Sequence, residues 1–88
     1  MRLKDKTAII TGGGSGIGLS TAHAFCKEGA KVALFGRRKD KLEKAAEEIG
    51  SCALPIQGDM NKNDDLDRLI NDTLNNFKGI DILVNNAE

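Results

Sequence analysis

The segment Thr11-Gly12-Gly13-Gly14-Ser15-Gly16-Ile17-Gly18 holds the residues best placed to do chemistry. It sits between a β-branched apolar run, Thr7-Ala8-Ile9-Ile10, and a stretch with helical apolar spacing. A glycine-rich turn feeding a helix N-terminus presents backbone N–H groups and the positive end of the helix dipole. Both favour a phosphate or pyrophosphate. Glycine suits positions where the chain turns sharply, where backbone approaches a ligand, and where helix packs closely on strand. A turn alone needs one or two glycines, and this one has five. The spacing Gly13-x4-Gly18 comes near a triphosphatase loop. The lysine such a loop needs for the terminal phosphates would fall at Leu19, so that reading fails.

The elements that must position this turn alternate along the chain. A first strand over Thr7–Ile10 leads through the glycines to a helix over Gly16–Glu28, with Ile17, Ala22 and Phe25 as inward candidates. Gly29 is its expected left-handed cap. Lys31–Phe35 reads as a second strand ending at Gly36. Lys39–Ile49 reads as a helix with Leu42, Ala45, Ala46 and Ile49 on one face, closed by Gly50. Ser51–Gln57 is a third strand carrying the only proline, Pro55, which lacks a ladder donor and belongs at a sheet edge. Asn63 is the expected N-cap of a helix with Asp64 and Asp65 at its positive end, apolar positions Leu66, Leu69, Ile70, Leu74 and Phe77, and a stop at Gly79. Ile80–Val84 is the fourth strand, before Asn85-Asn86-Ala87-Glu88.

The order βαβαβαβ predicts one α/β domain over residues 1–88: a doubly wound parallel sheet with right-handed crossovers. The strand order 3-2-1-4 puts the Pro55 strand at an edge. It makes the gap between strands one and four the switch point, where ligands bind at the carboxyl ends of strands. The glycine turn and the Asn85–Ala87 turn both fall there.

Composition narrows the function classes. Lysine plus arginine and aspartate plus glutamate number 13 each, so bulk charge points to neither nucleic acid nor a membrane surface. No stretch approaches the ~20 apolar residues of a membrane span, and the polar start Met1–Lys6 has no signal core. Cys26 and Cys52 show no metal-ligand spacing, and two thiols do not make a disulfide framework. They are expected reduced and buried in a cytoplasmic protein. His23 and Lys27 lie one helical turn apart with no nucleophile or metal cluster beside them, and His23 reads as structural or solvated.

Gly12-x3-Gly16-x-Gly18, Asp59 after the third strand and Asn85-Asn86-Ala87 after the fourth resemble the short-chain dehydrogenase/reductase family, over the whole chain. The resemblance implies a Rossmann fold and an NAD(P)(H)-dependent oxidoreductase moving hydride between alcohol and carbonyl, of which this chain is the N-terminal cofactor-binding portion. It implies that Gly12, Gly14, Ser15, Gly16, Ile17 and Gly18 hold the pyrophosphate and adenosine ribose. Asp59 would bond the adenine amino group, with Met60 beside it. Asn86 and Ala87 would line the ribose side of the crevice, and full-length relatives would be homo-oligomers. Where a carboxylate would select NAD, the chain has Gly36, then Arg37 and Arg38; a guanidinium fork matches a 2′-phosphate, so NADP(H) is favoured over NAD(H). The family's other basic NADP marker is Ser15 here, and Glu88 stands where the family has glycine. The family's catalytic tyrosine has no counterpart, because the chain contains no tyrosine, so no catalytic residue is assigned and the chain is expected inactive alone. A non-catalytic dinucleotide-binding or interaction module, or a nonfunctional gene fragment, is the alternative. An unpaired fourth-strand edge and a partly uncovered sheet face would leave the isolated chain poorly soluble.

Overall fold

Ala8, Ile9 and Ile10 are apolar in succession because the strand they form is covered on both faces. In the computed structural model, which describes residues 3–12 and 16–86, all five residues of β1 (Thr7–Thr11) are buried. The further elements are α1 (Gly16–Lys27), β2 (Lys31–Gly36), α2 (Lys39–Ile49), β3 (Ala53–Gln57), α3 (Asn63–Phe77) and β4 (Ile82–Asn85). They form one parallel sheet in the expected order β3-β2-β1-β4. Ile9 stands beside Ala33 and Leu83, and Pro55 of the edge strand stands beside Leu34.

Strand periodicity divides the core in two. Ala8, Ile10, Val32 and Leu34 meet Ala22 of α1 and Leu42 and Ala45 of α2 on one face. Ile9, Ala33, Phe35 and Ile56 meet Leu69 of α3 on the other. Burial of a side chain such as Phe35 or Leu34 contributes roughly 1.5–3 kcal/mol each.

Several boundaries differ from the sequence expectation, each for a local reason. α2 has the expected limits, Gly50 N–H closes it on the Ala46 carbonyl, and Gly29 takes the expected positive φ. α1 ends one residue early, at Lys27, and Ile17 is 74% exposed instead of inward, because Gly18 takes the position against β1. β3 begins at Ala53, since Ala53 N–H closes a turn on the Gly50 carbonyl. Asn63 does not cap α3. Lys62 holds that position without a side-chain bond, after a turn in which its N–H reaches the Asp59 carbonyl. Lys78, in the left-handed region at φ 65°, ends the helix in place of Gly79. β4 starts at Ile82, because the Asp81 carboxylate accepts the Thr7 N–H (2.9 Å) at the strand entrance. On α3, Leu69 and Thr73 are buried, whereas Ile70 and Leu74 are each 42% exposed. The buried stripe is therefore narrower than the apolar one.

The cysteines are a correction. Cys26 and Cys52 are neither reduced nor fully buried: they are half-buried and joined in a disulfide, with Cα atoms 6.0 Å apart. Their sequence neighbourhoods are unrelated, and only the packing of α1 beside the α2–β3 corner brings them together. Cross-links spanning 26 residues stabilise by about 3–4 kcal/mol in the chain-entropy picture. Nearby, His23 Nε2 lies 3.6 Å from Glu48 Oε1, both exposed. Among the described residues no helix is long and apolar enough to cross a membrane, and no cluster of three or more His, Cys, Asp or Glu could hold a metal.

Candidate dinucleotide crevice

Parallel strands deliver all their carboxyl ends to one edge of the sheet. A cleft of about 310 Å³ lies along that edge, beyond the switch point between β1 and β4. Thr11 and Gly12 enter from β1, Phe35 to Arg37 from β2, Gly58 to Asn61 from beyond β3, and Asn85 and Asn86 from β4.

The switch point is fastened by a hydroxyl. Thr11 Oγ1 accepts the Asn86 N–H at 2.9 Å and donates to Asn85 Oδ1 at 3.1 Å. A buried threonine at the end of an apolar strand thereby holds the last residue of β4 and the one after it against β1. Gly12 N–H bonds the Phe35 carbonyl (2.8 Å), so β1 and β2 stay in register up to the turn. Gly12 and Gly16 then have φ of 66° and 59°, a backbone region that side chains other than glycine rarely occupy. A Cβ on Gly18 would lie 2.2 Å from the Gly12 carbonyl oxygen and 3.0 Å from Asn86 Nδ2. The first turn of α1 therefore sits directly on the strand end, with no acidic residue in that turn to oppose an anion.

Across the cleft, the loop after β3 is shaped by carboxylates. Asp65 Oδ2, in the first turn of α3, accepts the Asp59 N–H at 2.8 Å, and Asp59 Oδ1 accepts the Asn61 N–H at 2.9 Å. The bond from Asp59 is the main reason the Asp65 carboxyl is held below its ordinary pKa of 3.8. Partial desolvation opposes it, and Arg68, 3.4 Å away, adds to it. Gly58 N–H bonds the Gly36 carbonyl (2.8 Å), and Gln57 Nε2 bonds the Arg37 carbonyl (3.1 Å). Arg37 is exposed and reaches the cleft wall. It also borders an adjoining hollow with Lys62 and Arg68.

Of the residues singled out in the sequence, Gly12, Arg37, Asp59, Met60 and Asn86 line the cleft, and Gly16 and Gly18 form the helix start beside it. Ile17 is exposed on that same turn. Arg38 is exposed at the N-cap of α2 and is not part of the cleft wall, because the chain turns outward into the helix there. Gly14, Ser15 and Ala87, and Glu88 with them, lie outside the described residues. Sequence reasoning missed Phe35, Gly36, Gly58 and Asn61 as cleft walls and Asp65 as the support of Asp59. A polar residue ending a buried strand could have marked Thr11 as a fastener. Nothing local marked Asp65, whose partner lies across a turn.

Residues 6–88 match the model of the family described as short chain dehydrogenase. An uncharacterized oxidoreductase of Staphylococcus aureus is 42% identical over 86 residues, covering 97% of this chain and 37% of that protein. A short chain dehydrogenase from Bacillus anthracis superposes with a TM-score of 0.92 at 45% identity, over 97% of this chain and 35% of that one. The 3-ketoacyl-(acyl-carrier-protein) reductase of Brucella melitensis, solved in complex with NADH, superposes with a TM-score of 0.90 at 43% identity, over 92% and 34%. The chain thus spans little more than a third of the length of these relatives.

Proposed function

The chain belongs to the short chain dehydrogenase family, and on that premise we propose that its crevice binds the adenosine and pyrophosphate end of a nicotinamide dinucleotide. The convergence of Gly12, Arg37, Asp59 and Asn86 on one cleft at the carboxyl ends of four strands carries the reading. The residues fit such a group. A cradle that a Cβ on Gly18 would fill lies at a helix N-terminus free of acidic residues, where backbone N–H groups favour pyrophosphate. Asp59 supplies an acceptor for an exocyclic amine, steadied by Asp65 behind it. Asn86, held by Thr11, closes the wall at the switch point.

Arg37 supports a preference for NADP(H). A guanidinium at the end of β2 pairs with a 2′-phosphate, and no carboxylate stands there to accept the ribose hydroxyls. When bound, the dinucleotide supplies hydride chemistry. This chain's residues bind and orient it, and none is assigned a proton-transfer role. The whole protein is accordingly read as an NAD(P)(H)-dependent alcohol or carbonyl oxidoreductase.

Calorimetric titration of the chain with NADPH and NADH tests this. NADPH is expected to bind more tightly. Arg37→Ala is expected to weaken NADPH by roughly 10- to 100-fold, the worth of a charge-assisted bond, with NADH nearly unchanged. Equal losses for both would overturn the NADP preference, and no binding of either would overturn the site.

A further inference from the structure

The Cys26–Cys52 disulfide lies at the opposite end of the sheet from the crevice. Cys26 is in the last turn of α1, and Cys52 immediately precedes β3, with its carbonyl accepting the Val32 N–H at 2.8 Å. Both sulfur-bearing residues are half-buried, so solvent reaches them, and they open onto a groove of about 520 Å³. The groove has an apolar wall from Ala24 and Ile49 and a cationic rim from Lys27, with His23 beside it. Its size suits a small thiol, and Lys27, beside the His23–Glu48 pair (3.6 Å), offers one ammonium to a carboxylate.

We propose that Cys26–Cys52 is a reversible modification site at which a low-molecular-weight acidic thiol exchanges with the disulfide. The thiolate of one small molecule attacks one protein sulfur, forming a mixed disulfide and breaking the Cys26–Cys52 bond, and the other cysteine leaves as thiolate. A second small thiolate attacks the small molecule's own sulfur in that adduct, releasing the second cysteine and a small-molecule disulfide. Two electrons pass from the two small thiols to the protein, and their two protons end on Cys26 and Cys52. The reverse reaction, with the small-molecule disulfide as oxidant, closes the bond. The ammonium of Lys27 at the groove rim attracts the carboxylates of the thiol. Opening the bond removes the covalent tie between α1 and the α2–β3 corner, leaves their apolar packing in place, and touches no residue of the crevice.

The test is equilibration of the full chain in glutathione buffers of graded redox ratio, with acid quenching, alkylation and intact-mass analysis. A single two-electron transition is expected, with a population carrying one glutathione at intermediate ratios. Cys26→Ser and Cys52→Ser should each trap one glutathione stably, and Lys27→Glu should lower the adduct yield several-fold. Thermal melting of the reduced chain should fall by about 10 °C or more, with its helical circular dichroism retained at room temperature. A bond that opens only in denaturant, two thiols that stay open in excess glutathione disulfide, or loss of helical signal on reduction would each overturn the proposal. The readouts are thiol counts and masses, so failure of dinucleotide binding leaves them unaffected.

Discussion

Gly18 shows how narrow the tolerance is at single residues. Its missing side chain lets α1 rest on the β1 end, and a methyl there would sit 2.2 Å from a backbone oxygen that cannot move alone. Gly18→Ala is expected to cost about 1–3 kcal/mol, as overpacking does, measured as a lower urea midpoint at unchanged m-value. It should weaken dinucleotide binding as well, by shifting the helix start. Gly79→Ala provides the contrast: nothing lies within 4 Å of a Cβ there, so the midpoint should stay level or rise slightly. Thr11 belongs to the same scale. Thr11→Val keeps the shape but leaves the Asn86 N–H without its acceptor, and an unmade bond of this kind costs about 1–3 kcal/mol. Slower proteolysis at the β4 end in that variant, instead of faster, would contradict the fastening role.

Among the elements, α3 joins fold to site through its first turn. The Asp65 carboxylate holds the Asp59 backbone, and its pKa is lowered below 3.8, chiefly by that bond. A depressed carboxyl contributes stability that is fully present above its unfolded pKa and is lost as pH falls through the folded value. The chain should therefore lose thermal stability below about pH 4, and Asp65→Asn should flatten that part of the profile while converging with the parent at low pH. An identical acid profile in both proteins would remove Asp65 from this role. The same helix depends on Leu69 for its hold on Phe35, Ile9 and Ile56. Leu69→Ala should cost about 2–5 kcal/mol in chemical unfolding. At the far edge, Pro55 and the Arg68 side chain, which donates to the Gln57 carbonyl, leave β3 a poor template for another strand.

For the molecule as a whole, the two sheet edges differ. β4 presents Leu83, 66% exposed, at the edge away from α3, which packs over β2 and β3 and itself presents Ile70 and Leu74. An apolar, unpaired strand edge favours association between copies. Sedimentation velocity on the chain should show assembly that grows with concentration, and Leu83→Lys should reduce it. A monomer at every concentration, with a sharp concentration-independent melt, would refute this.

Sequence alone determined whatever is encoded within a few residues. The i, i+3, i+4, i+7 spacing of Leu42, Ala45, Ala46 and Ile49 marked α2, the apolar run Ala8–Ile10 marked a buried strand, and Pro55 marked an edge. The glycine turn was legible from its strand-before, helix-after setting, whereas Asp59 and Asn86 were legible only through the family resemblance; all three regions border one cleft. Tertiary structure alone decided which distant groups meet. Asn63 lost the cap to Lys62 because a turn from Asp59 set the entry of the chain. Asp65 turned to a backbone N–H six residues earlier, and Ile70 and Leu74 stayed out of a core that Leu69 and Thr73 filled. Cys26 and Cys52, 26 residues apart, found each other only because α1 and the α2–β3 corner pack on one sheet face. Periodicity and backbone preference act over one or two turns, whereas pairing across the sheet is set by burial, which no local pattern carries.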